Sequence, residues 1–259
     1  MFNKLFPLLS SIIKPDWKVA KDVPYGNDPE QKADWYLLNS GIRPAVVFIH
    51  GGGWMAGDKN VYEGRAKKYA LAGFHTFSIN YRLAKFDNPE TQWDAQLQDV
   101  RSFIRWLKAN ASNLRVDPTK IAVCGDSAGA HLSLFLGCLR DVNAVVNMFG
   151  PSDLTTPHMK YLLSSNALFG GKDDNELFES ASPIRLVNLT TVPVCTIHGT
   201  KDEVVPYSQA VELKKVLDNK YVENILVTYD GGHNLNEVPW YVQQYLDMRG
   251  LWFLIDRLL

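Results

Sequence analysis

The sequence is short of cysteine, of charge of one sign and of long apolar runs, and each shortage closes off a class of protein. Three cysteines in 259 residues, Cys124, Cys138 and Cys195, form no C-x-x-C pair. That excludes a disulfide framework and a cysteine zinc site. They read as buried thiols in a reducing compartment, so a cytoplasmic location is the expectation. Lys plus Arg is 27 and Asp plus Glu is 28, a net charge of -1. Without a basic excess, nucleic acid is not an expected partner. No apolar run approaches the ~18 to 20 residues that cross a bilayer, and no membrane partner is expected. Residues 1–13 carry a single Lys and a short apolar stretch broken by Pro7, a poor match to a signal peptide. The N-x-[ST] matches at Asn110 and Asn188 therefore carry no weight.

With 46% apolar, 12% aromatic and 21% charged residues, the composition is that of an ordinary globular chain. Apolar, β-branched runs at residues 45–50, 74–80, 120–124, 144–149, 193–198 and 224–229 read as strands. Amphipathic stretches at 61–72, 91–110, 127–139, 207–218 and 240–258 read as helices between them. This alternation predicts an α/β fold: a mostly parallel sheet covered by helices on both faces. Residues 151–183, rich in Pro, Gly, Ser and Asp without a clean period, read as an excursion, which leaves one domain over 1–259. In such sheets ligands lie beyond the carboxyl ends of the strands.

Four strand ends carry chemistry. After the strand at 120–124 comes Gly125-Asp126-Ser127-Ala128-Gly129, a G-x-S-x-G at the start of a helix and the pattern of a nucleophile elbow. The sharp strand-to-helix turn holds the serine clear of the sheet, and small neighbours let the chain make it. After the strand at 45–50 comes His50-Gly51-Gly52-Gly53-Trp54. Chance supplies an H-G-G-G in only about 0.002 chains of this composition. Consecutive glycines let backbone N–H groups turn toward a substrate oxygen, so the N–H groups of Gly52, Gly53 and Ala128 are the expected oxyanion hole. The acid and the base should follow the serine in that order. Asp202 follows the strand at 193–198 and His233 the strand at 224–229. His233 would take the Ser127 proton, and Asp202 would fix its tautomer. Glu203 and Asp230 compete with Asp202 for that role. His131, His50 and His198 are expected to pack or to brace loops; His75 and His158 carry no motif. No histidine pair has metal-ligand spacing, and neither a metal nor a cofactor is expected.

HGGGW, GDSAG, HGTKDEVVP and GGH in this order resemble the α/β-hydrolase serine esterases of the hormone-sensitive-lipase-like group, most nearly small bacterial carboxylesterases related to acetyl and feruloyl esterases. The resemblance implies an α/β-hydrolase fold and hydrolysis of short-chain acyl esters through an acyl-serine, with Ser127, Asp202 and His233 as the triad. The stretch before HGGG is short for a two-helix cap, so no large cap domain is expected. An open pocket bounded by Trp54, Met55, Leu168, Phe169 and Val205 is expected instead. Small-molecule esters, acetylated or feruloylated carbohydrates among them, are the implied partners. An arylformamidase-like amide hydrolase would use the same triad. A non-catalytic binding protein on this fold is the third reading.

Overall fold

A computed structural model describes residues 17–39 and 41–259; the stretch compared with a signal peptide lies outside them. The sheet follows from the run of β-branched and aromatic residues in each strand. β1 (Trp17–Pro24), β2 (Lys32–Leu38), β3 (Arg43–Ile49), β4 (His75–Ile79), β5 (Val116–Asp126), β6 (Ala144–Met148), β7 (Val194–Gly199) and β8 (Asn224–Tyr229) make one sheet in the order β1-β2-β4-β3-β5-β6-β7-β8. From β3 to β8 every pairing in the sheet is parallel. β2 runs antiparallel to both β1 and β4, so the expectation of a mostly parallel sheet holds, with an antiparallel ribbon added at one edge.

The helices are α1 (Glu63–Leu71), α2 (Trp93–Ala109), the single turn α3 (Ala111–Leu114), α4 (Ala128–Cys138), α5 (Pro157–Ser164), α6 (Asn175–Ser180), α7 (Ser208–Asn219) and α8 (Trp240–Leu258). Neighbouring residues of β3 fall into opposite cores. Val47 and Ile49 pack with Val100, Phe103 and Leu132, whereas Val46 and Phe48 pack with Tyr69, Leu251 and Leu254. The period-2 geometry of a strand thus sends one residue to each face. That is why the central strands read as unbroken apolar runs. The excursion at 151–183 contains α5, α6 and a 3-10 turn at Ala167–Phe169. They follow β6 in the chain, and α5, with Met159 and Leu162, walls one side of the site.

Candidate active site

β5 and α4 meet at Ser127, whose φ of 49° and ψ of -118° are unusual for a non-glycine residue. Such strain persists only where the surroundings over-determine it, and they do. The Ser127 N–H donates to Met148 O at 2.9 Å, and its own carbonyl accepts from His131 N at 3.0 Å. Gly129 shows why the motif ends in glycine: a Cβ there would lie 2.0 Å from Ile49 O. The helix that follows the serine is therefore pressed directly against the end of β3.

Three strand ends then converge. The Ser127 hydroxyl donates to His233 Nε2 at 2.9 Å, and His233 Nδ1 donates to Asp202 Oδ2 at 2.7 Å. Asp202 is itself anchored, because its Oδ1 accepts the N–H groups of Val204 and Val205 at 2.9 and 2.8 Å. Burial works against the Asp202 charge, yet hydrogen bonds from His198 and His233, the His233 charge and the Val205 N–H outweigh it. They hold the carboxyl well below the usual carboxylate range. Of the competing acids, Asp230 pairs with Lys201 at 2.8 Å in solvent, and Glu203 is exposed. Neither touches His233.

The glycine loop lies beside the serine. Gly52 has φ 113°, and a Cβ would sit 2.1 Å from Ala56 O, so only glycine fits the turn. Among the described residues, no hydrogen bond takes up the N–H of Gly52 or Gly53. The Gly53 carbonyl is held by Asn166 Nδ2 at 3.0 Å. Asp126 ties loop to elbow: its Oδ1 accepts the Gly51 N–H at 3.1 Å and the Tyr62 hydroxyl. Nothing in the sequence singled out Asn166 or Tyr62, since neither belongs to a motif.

His131, His50 and His198 brace, as expected. His131 Nε2 donates to Ala181 O at 2.8 Å while Nδ1 accepts the Trp54 indole N–H at 3.3 Å. His50 stacks on Tyr81, with ring centroids 4.5 Å apart. His198 Nε2 donates to Val205 O at 2.8 Å and lies 3.3 Å from Asp202 Oδ2. Burial pushes His131 down to about 4 and His75 likewise. Both are neutral in the fold and protonate near 6.5 when unfolded, so stability is full above pH 6.5 and falls as the pH drops toward 4. The loss attributable to His131 reaches about 3 kcal/mol at the acid end. Thermal melts across that window are expected to show this slope, and His131→Gln to flatten it while leaving the His75 share. An unchanged slope would contradict the assignment.

The pocket corrects the sequence reading. A cavity of about 500 Å³ opens at Ser127 and His233 and is lined by Gly52, Gly53, Trp54, Phe149, Pro151, Met159, Leu162, Val204 and Val205, among others. Trp54 and Val205 are therefore in its wall, and Met55, Leu168 and Phe169 are not. Leu168 and Phe169 are buried in the core from the 3-10 turn at Ala167–Phe169, and exposed Met55 lies outside, with its Sδ accepting the Ala167 N–H at 3.3 Å. Trp54 is 3% exposed and packed edge-on to His131. All three cysteines are buried and unpaired with one another, and burial pushes their thiols up to about 12, which keeps them protonated and poorly nucleophilic.

A match to the BD-FAE family covers residues 36–217. The chain belongs to that family. Among curated relatives, esterase LipC of Mycobacterium tuberculosis (strain ATCC 25618 / H37Rv) is 32% identical over 213 residues, covering 72% of this chain and 52% of LipC. The BD-FAE chain thus spans about half the length of that relative. Among solved structures, a truncated carbohydrate esterase from gut microbiota is 28% identical with a TM-score of 0.77, covering 95% of this chain and 98% of that one. MGS-M1, an α/β hydrolase from a Medee basin deep-sea metagenome library, superposes with a TM-score of 0.73 at 20% identity over 93% of this chain and 99% of its own. The fold is that of the α/β hydrolases. No helix among the described residues is long and apolar enough to cross a membrane.

Proposed function

We propose that this BD-FAE chain is a single-domain serine carboxylesterase that hydrolyses short-chain acyl esters. The observation that carries the reading is the unbroken Ser127–His233–Asp202 relay at a strained elbow facing an apolar cavity. Ser127 Oγ attacks the ester carbonyl carbon as its proton passes to His233 Nε2. The carbonyl oxygen gains the negative charge and takes the N–H groups of Gly52, Gly53 and Ala128. Gly52 and Gly53 offer theirs from the loop after β3, and Ala128 opens α4, where the helix dipole adds its positive end. The C–O bond to the alcohol then breaks, with the His233 proton going to the leaving oxygen. Water repeats the sequence on the acyl-enzyme and frees the acid and Ser127. Asp202, ionised throughout, stabilises the imidazolium.

The cavity is bounded by Phe149, Met159 and Leu162, which favours a short acyl arm. The carbohydrate esterase neighbour supports acetylated or feruloylated carbohydrates among the substrates. The three free thiols support a cytoplasmic location. The test is hydrolysis of p-nitrophenyl esters from acetate to decanoate, with mass spectrometry after an organophosphonate probe. Turnover peaking at short chains, with the probe on Ser127, is expected. A labelled Ser127 without ester turnover would favour the arylformamidase-like amide hydrolase, and neither label nor turnover would favour a binding protein.

A further inference from the structure

The loop after β3 is bent in an uncommon way. Gly52, Gly53 and Trp54 have φ of 113°, 59° and 64° in succession, and the last of these is not a glycine. Left-handed backbone is costly for a tryptophan, so the surroundings must hold it there. The turn closes on itself, since Gly52 O accepts the N–H groups of Met55 and Ala56 at 3.2 and 3.0 Å. Its placement against Ser127 then depends on ties from outside. Asp126 Oδ1 accepts the Gly51 N–H, and Ala84 N and Gln96 Nε2 both donate to Trp54 O at 2.8 Å. Between those ties lies the Gly53–Trp54 peptide unit. Among the described residues, its carbonyl is held by the Nδ2 of Asn166, 113 positions further along the chain.

Asn166 is suited to that bond by its other one. Its Oδ1 accepts the Leu168 N–H at 2.8 Å, capping the 3-10 turn at Ala167–Phe169. With Oδ1 so engaged, the NH₂ faces the Gly53 carbonyl, and rotating the amide by half a turn would set donor against donor and acceptor against acceptor. The backbone of Asn166 is tied as well, its N–H donating to Leu163 O at 3.0 Å, which fixes the residue to the end of α5. α5 also supplies Met159 and Leu162 to the cavity wall. One segment therefore both walls the cavity and steadies the glycine loop.

We infer that Asn166 is a positioning residue for the reaction: through the Gly53 carbonyl it keeps the Gly52 and Gly53 N–H groups where the oxyanion forms. The inference rests on the esterase reading above and on its oxyanion donors. Consecutive glycines open many conformations to the loop, while a donor serves only within about 2.7 to 3.1 Å of the developing charge. A bond that narrows the loop to one conformation thus acts on the transition state. The bound ester carries no such charge, and its affinity is left nearly alone.

The test measures kcat and KM for p-nitrophenyl acetate, with a thermal melt, in Asn166→Ser and Asn166→Ala. Serine retains an oxygen for the Leu168 N–H and stops short of the Gly53 carbonyl; alanine loses both bonds. Both variants are expected to lose about tenfold in kcat with KM within about twofold, whereas only Asn166→Ala should melt a few degrees lower. A trifluoromethyl ketone bonds its carbonyl carbon to Ser127 Oγ as the hydroxyl proton passes to His233, which leaves an oxyanion in the same place. Its inhibition should weaken by a similar factor. Met55→Leu is the control, because it cuts the neighbouring tie from the Ala167 N–H to Met55 Sδ and leaves Gly53 O untouched; kcat should stay within about twofold. Full kcat in Asn166→Ser would overturn the inference and leave Asn166 a cap. A raised KM at unchanged kcat would overturn it in favour of a substrate contact, and an equal loss in Met55→Leu in favour of a general loosening of the segment. Each of those results leaves the esterase reading standing. Wild type with neither turnover nor inhibition would overturn that reading, and this inference with it.

Discussion

Ser127→Ala is expected to lower kcat on p-nitrophenyl acetate by about 10⁴-fold or more, since the oxyanion donors and substrate binding alone leave only a small residual rate. The hydroxyl is bonded to His233 alone among side chains, so its removal strands no buried polar group, and the melting temperature should stay near that of wild type. Initial rates paired with a thermal melt check both halves. If more than a tenth of the activity survived in a folded variant, Ser127 would not be the nucleophile.

Asp202→Asn should cost about 10³- to 10⁴-fold in kcat, because an amide NH₂ facing His233 Nδ1 favours the tautomer that carries its proton on Nε2 and cannot accept one from Ser127. The loop itself should survive, for the amide oxygen can still accept from Val204 and Val205, which now bond to Asp202 Oδ1. Glu203→Gln and Asp230→Asn, whose side chains face solvent, are the controls and should stay within about twofold. The three rates measured side by side decide among the carboxylates. A larger loss in Glu203→Gln would move the acid to that position.

The parallel strands were legible because burial on both faces demands continuous apolar runs, as in Ala45 to Ile49. β1 and β2 were not. Trp17–Pro24 is an edge strand with Lys18, Lys21 and Asp22 among its residues, and Lys32–Leu38 carries Asp34 and a tryptophan within an otherwise short pattern. Their pairing is decided by partners far along the chain. At the site, the four motifs fall at strand ends, and the parallel topology brings all of those ends to one edge. The pocket wall escaped for a different reason. Leu168 and Phe169 are apolar and near the site in sequence, but a 3-10 turn points them into the core, whereas Met159 and Leu162 reach the cavity from α5. Nothing local in 151–183 distinguishes the two pairs.

The parts of the relay differ in how firmly the sheet holds them. Ser127 follows β5, which has β3 and β6 on its two sides, while His233 follows β8, which pairs with β7 alone at the end of the sheet. An end strand opens at a smaller free-energy cost than a central one. The base is thus carried by an end rung of the ladder, and the proton relay exists only in molecules whose margin is closed. A molecule frayed there keeps its elbow intact and has a serine with no base beside it.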